Sequence, residues 1–446
     1  MKLTINEIAQ ALNVEPLGAT EALITSVEFD SRLVTAGSLF VPLAGARDGH
    51  EFIGKALENG AAATLWSKPV AEAPAGLTIF PVADTKTAFQ TLAVYYQEKI
   101  APQVVAITGS NGKTTTKDMT EAVLAQKYRT YKTQGNYNND LGMPYTILHA
   151  PDDTEILILE MGMDHAGEIK FLSQLAQPDA AAITMIGEAH IENLGSRAGI
   201  AQTKMEIAAG LKADGLLLVP ADERLLDPLV AELSQKVLTF GLNEGSIQGS
   251  IVKETKNQTT FTIGDQTFTI PVLGSYNVKN ALIAYGFGQH FGLSDNEIAQ
   301  GLTAFQLTKN RTEWRKASNG ADILSDVYNA NPTAMGLVLD SFGQLELPGR
   351  RMAVLADMLE LGPDSKQMHA SMADHINDQY ALVFLYGNEM AALHAALQEH
   401  VATVYHFAPE QKAELIQAIK ENLRPSDSIV LKGSNGMGLA EVVEAL

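Results

Sequence analysis

The most chemically loaded stretch of the chain is Thr108-Gly109-Ser110-Asn111-Gly112-Lys113-Thr114-Thr115. Glycines let backbone N–H groups approach a phosphate, a lysine adds a mobile positive charge, and a threonine hydroxyl can ligate Mg²⁺. The stretch lies between an apolar run at 104–108 and helical spacing over 113–126, which is where a phosphate-binding loop must lie. The general pattern puts a glycine at position 107, where Ile107 stands, so the loop is a shortened variant. Glu160 closes the next apolar run, in Ile158-Leu159-Glu160-Met161-Gly162. A carboxylate at the C-terminal end of a parallel strand faces the ligand crevice, and beside a phosphate loop it is a candidate Mg²⁺ ligand. His190 follows the run after that, again just past a strand end, although a lone histidine is more often structural. Lys204 falls inside a predicted helix, where spacing alone makes it a surface lysine.

These side chains need a scaffold that lines up strand ends. Apolar runs at 104–108, 155–161, 180–186 and 215–219 alternate with helical segments, which predicts a mostly parallel sheet covered by helices. Residues 247–273, rich in Thr, Phe and Ile with Gly punctuation, predict a small antiparallel patch. From about 309 the alternation restarts, with strands expected at 323–327, 352–356, 381–386, 404–407 and 428–431, a second doubly wound domain. Gly-Ser-Asn-Gly recurs at 433–436, followed by Met437 and Gly438, and is expected to be a tight strand-to-helix turn. Ahead of all this, residues 1–98 carry short strands, a Gly-rich stretch at 37–49, a helix ending near Gly60 and helical spacing over 85–99, broken by Pro102. The expected class is α/β in three domains. A small mixed N-terminal domain (1–98) precedes a central phosphate-loop ATPase domain with a mostly parallel sheet (99–308) and a Rossmann-like C-terminal domain (309–446).

Composition agrees with that count. At roughly 150 residues per domain, 446 residues give about three. A hydrophobic fraction of 46% and a charged fraction of 19% are those of a globular protein. Cysteine is absent, which excludes disulfides, thiolate zinc sites and a cysteine nucleophile, and fits a reducing compartment. A net charge of −20 argues against non-specific binding to nucleic acid or anionic membranes. Residues 1–20 look like a short amphipathic helix with Glu7 and Glu15, lacking a basic leader, and no stretch is long and apolar enough to span a bilayer. A cytoplasmic location is expected.

The motifs and their order resemble the Mur ligase family, which builds the peptide of the cell-wall precursor with ATP. The match continues through Gly274-Ser275-Tyr276-Asn277-Val278-Lys279-Asn280 to Asn310-Arg311-Thr312-Glu313. The resemblance implies ATP held by Gly109, Ser110, Asn111, Gly112, Lys113, Thr114 and Thr115, with Asn280 on the adenine and Arg311 and Asp326 arriving from the third domain. It implies two Mg²⁺ ions held by Thr114, Glu160, His190 and Lys204, with Lys204 carbamylated by CO₂ so that it offers a carboxylate. Lys113, Glu160, His190, Lys204 and Arg311 become the expected catalytic set.

Further stretches resemble the members of the family that join D-alanyl-D-alanine to UDP-N-acetylmuramoyl-tripeptide. They are Asp30-Ser31-Arg32, Asp48-Gly49-His50, Gly135-Asn136-Tyr137-Asn138-Asn139, Tyr328-Asn329-Ala330-Asn331-Pro332 and Asp357-Met358-Leu359-Glu360-Leu361-Gly362. They imply that Ser31, Arg32 and His50 hold the UDP end, and that Asn136, Asn138, Asn139, Asn329 and Asn331 contact substrate. The Asp-Asn-Pro-Arg motif of members that add a diamino residue is absent, and Asn435 stands where the family usually has an arginine after Lys-Gly-Ser. The expected reaction gives UDP-N-acetylmuramoyl-pentapeptide, ADP and phosphate through an acyl phosphate, in a protein working as a monomer. The alternatives are a sister ligase adding a diamino acid or glutamate, a kinase-like transferase, and a nucleotide-binding scaffold without turnover.

Overall fold

The structure is a computed structural model that describes residues 1–308, 311–376, 378–397 and 403–446. Lys309 and Asn310, where the third domain is expected to begin, lie outside the described residues.

The central sheet positions the chemistry. Its nine strands run in the order Gln266–Ile270, Gln258–Ile263, Ile247–Thr255, Lys236–Gly241, Leu216–Pro220, Ala180–Ile183, Gln103–Thr108, Ile156–Glu160 and Thr130–Lys132. From Ile247–Thr255 to Thr130–Lys132 neighbouring strands are parallel, and the two remaining strands add antiparallel hairpins. The inner strands read as unbroken apolar runs because both faces are covered. Val105, Ile107, Ile158 and Leu218 enter one core, whereas Val104, Ala106, Leu159 and Leu217 enter the other. Register then aligns the functional ends: Ile107 pairs with Glu160 and Thr108 with Ile183. Three points differ from expectation. The strand expected to reach 186 stops at Ile183, where the chain leaves the sheet. The antiparallel patch is continuous with the parallel sheet, joined through Phe240 and Ile247. Thr130–Lys132 and Lys236–Gly241 have no apolar run to announce them, the first for its brevity and the second because Lys236 and Thr239 dilute it.

The first domain holds a sheet of four parallel strands, Ser26–Glu28, Ser38–Phe40, Ala63–Trp66 and Thr78–Pro81. Helix Thr85–Ile100 is capped by Asp84 and ends at Ala101 in the left-handed region, just before Pro102. The amphipathic helix expected over 1–20 covers only Ile5–Leu12. Thr4 and Glu7 form a capping box at its start, and left-handed Asn13 stops it before Glu15.

Among the described residues the third domain has six strands in the order Glu313–Lys316, Asp322–Asp326, Ser428–Lys432, Arg351–Ala356, Tyr380–Tyr386 and Val404–Phe407. All five expected strands are present and parallel. The added Glu313–Lys316 is an antiparallel edge, too polar to stand out in the sequence. Among the described residues no helix is long and apolar enough to cross a membrane.

Candidate active site

The phosphate loop turns sharply out of strand Gln103–Thr108. Gly109 has φ 152°, and a Cβ there would fall 1.7 Å from Thr184 Oγ1. Gly112 has φ 83°, and its Cβ would fall 2.6 Å from Asn280 Oδ1. No other residue type fits either place. Ser110 Oγ accepts the Gly187 N–H at 2.9 Å, and the Thr184 hydroxyl donates to the Asn111 carbonyl, so the loop is tied to the neighbouring strand end. Helix Lys113–Leu124 starts at Gly112 with no side-chain cap. Its first-turn N–H groups are therefore unclaimed by a cap and point positive potential at the loop. Lys113 folds back over the loop, its Nζ donating to the Gly109 carbonyl at 2.8 Å.

Glu160 is 3% exposed. Its Oε2 accepts from the Thr114 hydroxyl at 3.0 Å and its Oε1 from Asn138 Nδ2 at 2.9 Å. Lys117, one helical turn beyond Lys113 and buried, approaches Oε2 at 3.6 Å. Sequence reasoning passes over Lys117; its place four residues after Lys113 is the available signal. His190 has a left-handed backbone, φ 61°. Its Nδ1 lies 2.7 Å from Glu360 and 3.3 Å from Asp164. Burial lowers the pKa of His190 and outweighs the two carboxylates.

Lys204 is the clearest correction to spacing. It sits in the last turn of helix Arg197–Met205 and is 2% exposed, facing the site rather than solvent. Burial, then the charge of Lys113, pushes its pKa well down. The Lys113 pKa is itself lowered, chiefly by burial. The Lys204 amine is thus driven toward its neutral form.

The third domain completes the site from above. Arg311 reaches Thr114 Oγ1 with Nη2 at 3.3 Å and lies 4.0 Å over the Tyr328 ring, while its Nε is buried without a partner. Asp326 accepts from Lys432 Nζ at 2.5 Å and from the Thr312 N–H at 3.3 Å. Asn331 caps helix Pro332–Gln344 and exchanges two hydrogen bonds with Asn111, at 3.2 and 3.0 Å. Thr333 donates twice to Glu188. Between the two domains lies a cavity of about 470 Å³, lined among others by Asn111, Gly112, Thr115, Asn280, Arg311 and Asp326. Exposed Asn329 lines it too. Asn280 also accepts from the Thr116 hydroxyl at 3.2 Å.

The residues expected at the UDP end differ in exposure. Arg32 is 84% exposed and paired with Asp30, and Ser31 is buried. His50 is buried with its ring nitrogens near Asp48 (2.7 Å) and Ser67 (3.3 Å), edge-on to Trp66. Its ring already has structural partners. In the Asn-rich loop Asn136 is exposed, Asn138 holds Glu160, and Asn139 accepts the Gly142 N–H at 2.8 Å.

Sheet order, phosphate loop and third-domain contacts define a class, and the chain belongs to it: the Mur ligase family. Family models match in all three parts: the Mur ligase family catalytic domain over residues 23–97, the Mur ligase middle domain over 107–288 and the Mur ligase glutamate ligase domain over 310–435. More particularly, the chain is 43% identical over 432 residues to a UDP-N-acetylmuramoyl-tripeptide–D-alanyl-D-alanine ligase of Bacillus subtilis, covering 96% of this chain and 94% of that one. A crystal structure of MurF from Acinetobacter baumannii superposes with a TM-score of 0.89 at 28% identity, over 100% of this chain and 98% of the other. MurF ligase from Thermotoga maritima, solved in complex with ADP, has a TM-score of 0.82 at 27% identity, over 94% and 96%.

Proposed function

We propose that this protein is the ATP-dependent ligase that joins D-alanyl-D-alanine to UDP-N-acetylmuramoyl-tripeptide. The observation that carries this is the convergence of the phosphate loop, Glu160, His190 and buried Lys204 beneath the third domain, in a chain matching the Bacillus subtilis ligase over 96% of its length.

A carboxylate is a poor electrophile, so the tripeptide carboxylate first takes the γ-phosphoryl group of ATP. The loop N–H groups, Lys113 and Arg311 stabilise the charge on that group, and the buried setting strengthens each contact. The amine of the dipeptide then attacks the acyl phosphate, the C–N bond forms, and phosphate leaves with the C–O electron pair as the amine gives up a proton. Asn280 reads the adenine and Asp326 orients the nucleotide from the third domain.

The donor set fits Mg²⁺. Thr114 and Glu160 offer hard oxygens at one point. Among the described residues no group of three or more acidic, imidazole or thiol side chains is arranged to hold a metal ion by itself, so phosphate oxygens would complete the shell. A carbamate on Lys204 forms when its neutral amine adds to CO₂ and a proton is lost. The low pKa of Lys204, set by burial and by Lys113 with no carboxylate raising it, supports that step.

On this assignment residues 1–98 hold the UDP precursor, 99–308 carry ATP and metals, and 309–446 receive the dipeptide. The protein is assigned as a cytoplasmic monomer, which sedimentation tests. The deciding experiment is a phosphate-release screen pairing UDP-muramoyl peptides of each length with candidate amines, with products identified by mass. Release with the tripeptide and D-alanyl-D-alanine is expected. Release with a diamino acid or glutamate on a shorter peptide, or without an amine, overturns the assignment.

A further inference from the structure

Two strained backbones from different domains meet at one point. His190 (φ 61°) and Glu360 (φ 64°) are non-glycine residues held in the left-handed region. Side chains stay there only when their surroundings dictate it, and such outliers gather at functional sites. Glu360 Oε2 stands 2.7 Å from His190 Nδ1, at ion-pair distance, and this buried nitrogen has no aligned hydrogen bond of its own. The Glu360 carbonyl accepts the Glu192 N–H at 3.3 Å. Side chain and backbone of one third-domain residue are thus both directed at the segment that carries His190.

The loop presenting Glu360 is anchored from its own domain. Met358 N–H donates to Nε2 of fully buried His369 at 2.9 Å, and Leu359 N–H donates to Ser434 Oγ at 2.9 Å. Asp357 accepts the Glu389 and Met390 N–H groups at 3.2 and 2.9 Å. Glu360 is therefore held out by a rigid loop although its own side chain is 57% exposed. The central domain offers the same imidazole nitrogen a more distant and more exposed carboxylate, Asp164 at 3.3 Å and 67% exposed. Metal-bound histidines usually engage a carboxylate or carbonyl through the nitrogen that does not bind metal, which fixes ring orientation.

We propose that Glu360 is a positioning residue: docking of the third domain brings its carboxylate to His190 Nδ1 and leaves Nε2 as the metal-binding nitrogen. The metal site then reaches full strength only with the third domain in place. This rests on His190 being a metal ligand, as the family resemblance implies.

The test is Mn²⁺ binding, followed by electron paramagnetic resonance, to the full chain with a non-hydrolysable ATP analogue. Glu360→Ala is expected to weaken Mn²⁺ binding about 10- to 100-fold, the usual effect of losing such a partner. Glu360→Gln, which keeps an oxygen acceptor, is expected to recover most of it. In a His190→Ala background Glu360→Ala is expected to add nothing. Nitrogen NMR of histidine-labelled protein is expected to show the His190 Nδ1 signal moving in Glu360→Ala. Unchanged Mn²⁺ affinity in Glu360→Ala, or an equal further loss in the His190→Ala background, overturns the proposal. If His190→Ala itself binds Mn²⁺ like the parent protein, the ligand role of His190 fails and the proposal falls with it.

Discussion

The tetrapeptide Gly-Ser-Asn-Gly occurs at 109–112 and at 433–436, each time leaving a buried parallel strand. In both turns the serine hydroxyl does the same thing: Ser110 accepts the N–H of Gly187, and Ser434 that of Leu359, so each turn fastens the loop of a neighbouring strand. The glycines differ. Gly109 and Gly112 have positive φ and stand where a Cβ would strike Thr184 or Asn280. Gly433 has no positive φ and is small because Ala356 packs 2.6 Å from its Cβ position. The segments downstream of the two turns differ more. After Gly112 an uncapped helix of 12 residues opens with Lys-Thr-Thr. At the second site a single tight turn, Asn435–Met437, and left-handed Gly438 come first, and only then a short helix, Leu439–Ala445, with no lysine at its start. One tetrapeptide thus builds one kind of turn, and the residues and helix behind it decide whether phosphate can bind there.

The contrast between the two turns breaks most visibly at Lys113. Lys113→Ala is expected to lower turnover at least ~10²-fold, the scale of one electrostatic donor, with the thermal midpoint little changed. Met437→Lys, which gives the second turn the missing lysine, is expected to add no ATP binding to that of the Lys113→Ala background when titrated with a fluorescent nucleotide. Next comes Lys204→Ala, expected to lose most of the activity through loss of a metal ligand, while ATP binding persists. Acetate or formate is expected to restore part of that activity and bicarbonate none, since no amine remains to modify. Density ending at the Nζ of Lys204 in an active, metal-loaded crystal would falsify the carbamate.

Smaller effects sharpen the contrast. Asn331→Ala removes both a helix cap and the partner of Asn111, and is expected to cost about 1–2 kcal/mol by denaturant titration and to raise the KM for ATP. Ser434→Ala is expected to cost about 1 kcal/mol with a raised KM for D-alanyl-D-alanine and an unchanged KM for ATP. Asn435→Ala, exposed at the equivalent of Asn111, is expected to stay within about 0.5 kcal/mol. An Asn435 effect as large as that of Asn331 would mean that the second turn also binds something.

The strand ends are legible because strands buried on both faces have no polar residues to interrupt them, and the phosphate loop because its glycines obey steric rules visible in sequence. Lys204 is not. Its helix carries mixed polarity, and spacing cannot tell a lysine facing a catalytic centre from one facing water. Only the family resemblance singles it out. The contact of Glu360 with His190 joins chain segments too far apart to leave any periodicity, as does the Asn111–Asn331 pair. His50 and Asn138 stand at the other extreme of legibility. Their motifs are conspicuous, but the structure gives their side chains intramolecular partners in Asp48, Ser67 and Glu160.

One apolar core begins at Leu3 and Ile5, passes through Phe89 and Tyr96, and continues without a break to Val104, Leu159 and Leu217 of the central sheet. The third domain closes its cores almost entirely on itself, touched from the central domain only by Leu273, Ile191 and Tyr276 among the described residues. Its remaining bonds to the central domain include the polar ones of Asn111, Thr114, Glu188 and His190. A shared core couples unfolding, whereas a polar seam gives way at little cost in buried apolar surface. In a calorimeter, then, the first and central domains are expected to melt as one cooperative unit and the third as another. Since ATP bridges the seam, it is expected to draw the two heat-absorption peaks toward each other.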